Sequence, residues 1–423
     1  MIKLNMGVAK SKNIPLVFFW LVSFLAFILP ATSVNYPKGL YYAAIALVLL
    51  GIFAFIVGKG WEPLSKIEKL MIFTWLLYPA VTLLDLWLRV GWAWPLFQQS
   101  SRFLLVLPIY LMVRRFGFLQ DALKWGFFVG AVAVGFWALY QKLYLGIYRA
   151  HGGTSILVEA FGNIGLLLGV MSVALFQPDW SKDWRWRFVV MFSLSLGVFA
   201  SLASGTKGGW ISAPILCWVM VGLARHPSYT KRFLVLAVMA MGAVLVWYFS
   251  PFLQSRVGDI PLAVITYIET GQVTDGSSSI RLALWHAGIL IFIDNPLLGV
   301  GTGNFDMAKL PYVDAGLVSP AITDFGIHSQ FFKALLELGA LGPILVFSIY
   351  GMFILHCHQH ILENKALATT GILLAIGIMD FGLVEVIWGI NNVGVFFTVM
   401  MALIAGQLAY DKKHYRQHHD LTS

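Results

Sequence analysis

The sequence predicts an all-α fold: a polytopic integral membrane protein of about 12 transmembrane helices with one large loop on the outer side. Three observations carry this reading. Of the 423 residues, 59% are apolar and 12% are charged, where a soluble domain has roughly 25% charged residues. Mean hydropathy is +0.79. Apolar stretches near the roughly 20 residues that a bilayer crossing needs recur along most of the chain. Two cysteines exclude a disulfide scaffold and a four-thiolate metal site.

The expected spans are about 15–33, 40–58, 69–88, 102–118, 122–142, 156–176, 187–204, 208–224, 233–250, 334–355, 366–388 and 391–409. The first is too long for the apolar core of a signal peptide, and Pro30-Ala31-Thr32-Ser33 is a poor cleavage site. Lys and Arg collect on the cytoplasmic side of membrane proteins. With the N-terminus inside, 19 of the 29 basic residues fall on inner segments and 10 on outer ones. Lys3, Lys10 and Lys12, Arg114 and Arg115, and Lys412 and Lys413 are among the inner ones. Both termini are therefore expected in the cytoplasm. The formal charge of +9 is then mostly topological and calls for no nucleic-acid partner. The expected organisation is helices 1–9 in residues 1–250, the large outer loop in 251–333, and helices 10–12 with a cytoplasmic tail in 334–423.

Loops beyond about 15 residues in compact proteins are usually functional or disordered, and the apolar runs of 251–333 argue for folding. Ser277-Ser278-Ser279 offers a helix N-cap, and Asp294-Asn295-Pro296 ends that helix. Arg281 falls in its first turn, where the helix dipole is unfavourable to a cation. A cation at a helix N-terminus makes an anion site, and an arginine reaching lipid headgroups is the alternative. Gly299-Val300-Gly301-Thr302-Gly303 is neither a Rossmann fingerprint nor a P-loop; taken alone it reads as a turn. His328 opens span ten at the water interface, as a general base in its neutral form or as a polar anchor. Glu337, nine residues on, faces away from it on a straight helix; Asp324 is nearer in sequence.

Acids inside spans usually face a cavity or a partner. Here they are Asp85, Glu159, Asp380 and Glu385, the last near the outer end of span eleven and suited to a salt bridge or to orienting a base. Ser204-Gly205-Thr206-Lys207-Gly208-Gly209 forms the outer turn between spans seven and eight, where Lys207 suits either a phosphate or a lipid headgroup. Arg149 extends the outer positive charge, while Arg89, Arg102 and Lys142 read as interfacial anchors. His356, Cys357, His358 and His360 resemble metal-site material but lack a carboxylate cluster, and no metal site is expected.

The run from Arg281 through Gly299-Val300-Gly301-Thr302-Gly303-Asn304-Phe305 to His328-Ser329-Gln330-Phe331-Phe332 and Glu337-Leu338-Gly339-Ala340-Leu341-Gly342 resembles the O-antigen ligase/polymerase superfamily. The twelve spans and the outer loop before the tenth resemble it too. The resemblance implies a Gram-negative inner-membrane glycosyltransferase, inverting and independent of metal or cofactor. Its active site would face the periplasm. The donor would be an undecaprenyl-diphosphate-linked glycan and the acceptor lipid A–core for a ligase, or a second lipid-linked glycan for a polymerase. Membrane lipids surround it. The absence of a DxD motif agrees. By this resemblance His328 is the base or acceptor-orienting group, and Arg281, with Lys207 and Arg149, holds the diphosphate. Glu337, Glu385 and Asp324 are possible supports. Lys207 departs from the family's usual arginine and lacks its bidentate fork. Length and the single dominant loop favour ligase over polymerase. A lipid-glycan transporter is the weaker alternative, because polar residues concentrate in one outer loop and no paired halves are visible.

Overall fold

In lipid every backbone N–H and C=O must be satisfied within the protein, and the α-helix does this within one segment. The structure, a computed structural model, describes residues 14–58, 61–153, 157–180, 183–223, 229–274 and 277–420. Lys3, Lys10 and Lys12 of the charge count lie outside them. The described residues are helical with no strand.

The bundle begins with α1 (Ile14–Thr32), α2 (Pro37–Val57), α3 (Lys66–Asp85), α4 (Trp94–Phe116), α5 (Gln120–Leu143) and α6 (Val158–Leu175). After the short α7 (Gln177–Trp180) come α8 (Trp184–Ser204), α9 (Lys207–Gly222) and α10 (Tyr229–Phe249). The segment expected as the outer loop holds α11 (Pro251–Thr270), α12 (Ser277–Asp294), α13 (Phe305–Ala308) and α14 (Leu310–Asp314). The chain ends with α15 (Gln330–Leu338), α16 (Leu341–Gln359), α17 (Lys365–Val384) and α18 (Asn391–Asp420). Among the described residues 10 helices are long and apolar enough to cross a membrane. The first expected span is the 19-residue α1, apolar over Leu16–Thr32, and the eighth is shortened to the 16-residue α9.

Helix α6 is buried along almost its whole length, packed between α5, α8, α9 and α17. Small residues permit this: a Cβ at Gly197 of α8 would stand 2.5 Å from the Gly165 carbonyl oxygen. Close backbone approach through small residues is how membrane helices gain packing energy without a hydrophobic drive between them. Helix α10 is the opposite case, apolar with no buried residue over Arg232–Phe249.

Several boundaries depart from expectation. Span ten is not one helix from 334: the chain breaks at Gly339 (φ +60) between α15 and α16. The break exists because Pro296–Gly301 crosses there. Val300 and Gly301 donate to the Leu336 and Glu337 carbonyls, and Ala340 donates to Pro296. A Cβ on Gly339 would stand 2.2 Å from the Leu297 carbonyl oxygen, and one on Gly299 would stand 2.3 Å from that of Leu336. Span eleven ends at Val384, so Glu385 lies in extended backbone (φ −153, ψ 152) rather than inside a helix. Helix α4 starts at Trp94, eight residues earlier than expected, because Pro95 is suited to a first turn. Arg102 is therefore inside that helix and buried. It bonds to the Trp388 carbonyl and Asn391, and is not an interfacial anchor.

Side chains that the charge count puts on one side meet at one end of the bundle. At one end Arg89 reaches Leu298 and Gly299, and Arg149 reaches Ser204. At the other, Arg114 meets Glu68 and Lys413 meets Glu62.

Candidate active site

The first end carries a small core of its own. Ala283, Leu284, Ala287 and Ile291 of α12 pack with Phe305, Val318, Ile322, Ile327 and Leu336. This fixes α12 beside the N-terminus of α15, with the Trp285 and Phe332 rings parallel at 5.8 Å. Helix α12 begins at Ser277, so Arg281 stands in its second turn and not its first. The expected helix-terminus contribution at Arg281 is weaker for that reason, since the dipole's effect fades within one turn.

His328 lies just before α15. The next residue, Ser329, is the N-cap; its hydroxyl accepts from the Phe332 N–H at 3.4 Å and donates to the Gly382 carbonyl at 3.3 Å. Gln330 is buried and ties the segment down twice. Its N–H donates to the Glu385 carbonyl at 3.1 Å, and its side-chain oxygen accepts from the Trp388 N–H at 3.1 Å. These bonds bring the carboxylate of Glu385 to His328: Nδ1 is 3.1 Å from Oε1 and 3.2 Å from Oε2. Arg281 Nη2 is 4.0 Å from Glu385 Oε2. The His328 side chain is 33% exposed and that of Arg281 22%, against 14% for Glu385. Among the described residues the Arg281 Nε–H is buried with no hydrogen-bond partner. With its proton on Nδ1, the imidazole donates to Glu385 and presents Nε2 as a proton acceptor. A carboxylate behind one ring nitrogen sets the tautomer in this way.

A second positive wall stands at the turn between α8 and α9. Arg149 donates from Nε to the Ser204 carbonyl at 2.8 Å and pairs with Glu159 at 3.2 Å. Arg256 of α11 reaches the Gly205 carbonyl at 3.4 Å. Lys207 opens α9 just beyond, and Thr206 there makes no side-chain cap. The two walls adjoin, since a Cβ on Gly208 would lie 2.9 Å from the Val384 side chain. Those two residues are the neighbours of Lys207 and Glu385.

The remaining expected residues fall elsewhere. Glu337 accepts from the Gly303 N–H at 2.7 Å and pairs with Lys333, so it braces the glycine turn and does not touch His328. Asp85 holds the same turn, accepting from the Thr302 N–H and hydroxyl at 2.6 Å each. Arg89 follows it in a π-helical turn (Leu86–Val90), pairs with Asp85, and grips the Leu298 and Gly299 carbonyls at 2.7 and 2.9 Å. It is a clamp on the turn, not a lipid anchor. Lys142 likewise bonds to the Tyr148 carbonyl and lies 4.1 Å from the Phe252 ring. Asp324 is exposed and makes no bond among the described residues. Asp380 accepts from Ser212 inside the bundle. His356 and His360 contact backbone carbonyls, and no group of three metal-binding side chains occurs among the described residues. Sequence reasoning gave no role to Arg256 or Lys309 and quoted Gln330 only as part of the His328 run, because nothing near each residue in sequence marks its partner.

Fold and site together define a polytopic α-helical membrane protein with a histidine, a carboxylate and an arginine converging at one end. Residues 189–347 match the family described as O-antigen ligase. That similarity bears out the resemblance to the O-antigen ligase/polymerase superfamily read from the motifs. The match takes in Lys207, Arg281 and His328; Arg149 and Glu385 lie outside it. An uncharacterized protein of Haemophilus influenzae is 24% identical over 345 residues, covering 80% of this chain and 86% of that protein. Its name adds no activity.

Proposed function

We propose that this chain is a periplasmic-face glycosyltransferase that moves an O-antigen glycan from undecaprenyl diphosphate onto lipid A–core. It would lie in the bacterial inner membrane with both termini in the cytoplasm. The observation that carries the reading is the placement of His328 Nδ1 3.1 and 3.2 Å from the two Glu385 oxygens, which leaves Nε2 on the exposed side.

In the proposed reaction the acceptor hydroxyl oxygen attacks the anomeric carbon of the donor glycan. The bond from that carbon to the diphosphate breaks and undecaprenyl diphosphate leaves. The hydroxyl proton passes to Nε2 of His328, and Glu385 stabilises the imidazolium that forms. A base placed in this way contributes about 10²–10⁴-fold. The diphosphate is the leaving group, so cations aimed at it act where negative charge develops. Arg281 is the nearest, with Lys207 and Arg149 on the adjoining wall. No metal is called for, and transfer by purified protein is expected to survive EDTA.

The test is a lipopolysaccharide gel from a deletion strain, complemented with wild-type or His328→Ala protein. Bare lipid A–core, with long O-chains held on undecaprenyl diphosphate and rescue by wild type only, supports the ligase. Core capped by a single repeat unit would assign the polymerase instead. An unchanged ladder would remove both.

A further inference from the structure

A lysine that the proposed reaction does not use is tied to the backbone that carries its base. Lys309 follows α13 and is completely buried. Its ammonium donates to the Phe325 carbonyl at 2.6 Å and to Asp306 at 2.9 Å, and lies 5.3 Å from the Phe305 ring centroid. Burying an ammonium is unfavourable unless its counter-ion is shielded with it. The Asp306 side chain is 67% exposed, so that pair offsets little of the penalty. Packing alone could be supplied there by an apolar side chain of the same length. What the lysine alone supplies is a directional hold on the Phe325 carbonyl.

That carbonyl lies three residues before His328. Between them, a Cβ on Gly326 would meet nothing within 4 Å, and Ile327 is buried in the small core. Apolar burial is non-directional; it sets the depth of Ile327 but not the rotation of the peptide beyond it. On the other side, Ser329 and Gln330 are bonded to α17 and the segment after it. His328 is thus suspended between two attachments on different elements; on its N-terminal side the Phe325 N–H donates to the Ile322 carbonyl at 3.0 Å, and Lys309 alone among the described residues holds the Phe325 carbonyl.

We propose that Lys309 is a positioning residue: its hydrogen bond to Phe325 sets the backbone from which His328 meets both Glu385 and the acceptor hydroxyl. The inference rests on reading His328 as the base. The test uses full-length protein in lipid nanodiscs with Lys309→Met, Lys309→Arg and Asp306→Asn. Two quantities are read: kcat and KM for the lipid-linked donor, and the rate at which diethyl pyrocarbonate modifies His328 relative to the exposed His286. Lys309→Met should lower kcat about 10–100-fold, as misplacement near 1 Å does, with donor KM nearly unchanged. The modification rate of His328 should shift severalfold while that of His286 does not. Lys309→Arg, which keeps a donor, should recover part of the activity, and Asp306→Asn should stay near wild type. Wild-type kcat and His328 reactivity in Lys309→Met would overturn the proposal, as would an Asp306→Asn protein that reproduces the defect. If Lys309→Met does not accumulate, Lys309→Gln, too short to hold the carbonyl at the same distance, carries the same expectation. Should the wild type transfer no glycan, the proposed function fails, while the His328 reactivity comparison still decides the role of Lys309.

Discussion

Glu68 and Glu385 stand at opposite ends of the bundle, and both gather an arginine and a ring-bearing partner. Glu68 accepts from the Ser65 N–H at 2.7 Å and from Tyr110 and Arg114 at 2.6 Å each, with its side chain 7% exposed. Arg114 also donates from its two Nη nitrogens to the Glu62 and Pro63 carbonyls. That cluster is closed. Around Glu385 the partners are looser: His328 is a third exposed and Arg281 is 4.0 Å away. Saturation marks a carboxylate that holds helices together. A free acceptor at His328 Nε2 and an Arg281 Nε–H unpartnered among the described residues suit a carboxylate that awaits a substrate.

The largest effect should come from His328→Ala, which is expected to remove at least about a hundredfold of transfer activity while the protein inserts and melts as wild type. Near-normal transfer would take His328 out of the mechanism. Glu385→Ala and Glu68→Ala should then separate the two clusters. The first should lower kcat by about tenfold or more, but less than His328→Ala, through loss of the imidazole's tautomer and orientation, with unfolding in denaturant little changed. The second should lower stability by about 1–3 kcal/mol, because it leaves the half-buried Arg114 and the buried Tyr110 hydroxyl without their carboxylate, with kcat per folded molecule unchanged. A swap of these phenotypes would break the comparison. Arg281→Lys is expected to lower kcat about tenfold or more if the planar fork engages the diphosphate, and to be mild if only charge matters. Lys207→Arg should be tolerated or improved. The smallest effect concerns pH. The hydrogen bond from Lys413 holds the Glu62 carboxyl below its ordinary value of 4.5. Its contribution is fully present above that pH and is lost as pH falls through the depressed value. Wild type should therefore be slightly more stable than Glu62→Gln above that window, and their acid unfolding curves should converge as pH falls through it.

Hydropathy located the helices well, because bilayer length and apolarity are averages over many residues. It missed the break at Gly339 because the cause is backbone from residues 296–301 crossing the helix, which no local window contains. The same limit applies at the site. Arg281 and His328 were legible from motif order, but the role of Glu385 stayed open because its partner lies 57 residues away. Arg89 and Arg102 were misread as anchors for the same reason: their acceptors are carbonyls more than 200 residues distant. Lys309 looked like any loop lysine, since burial in a long loop leaves no trace in composition.

The crossing of Gly299 and Gly339 has a consequence for how this protein can change. Each glycine presses on the backbone of the other's segment, within 2.2–2.3 Å of where a Cβ would be. Substitutions elsewhere in a core can be compensated by shrinking a neighbour. Here the neighbour is main chain, and glycine is already the smallest residue. No second-site replacement among the twenty amino acids can make room, so the two positions should be locked together over descent. Lineages that lose one would be expected to rebuild the whole crossing rather than repair it.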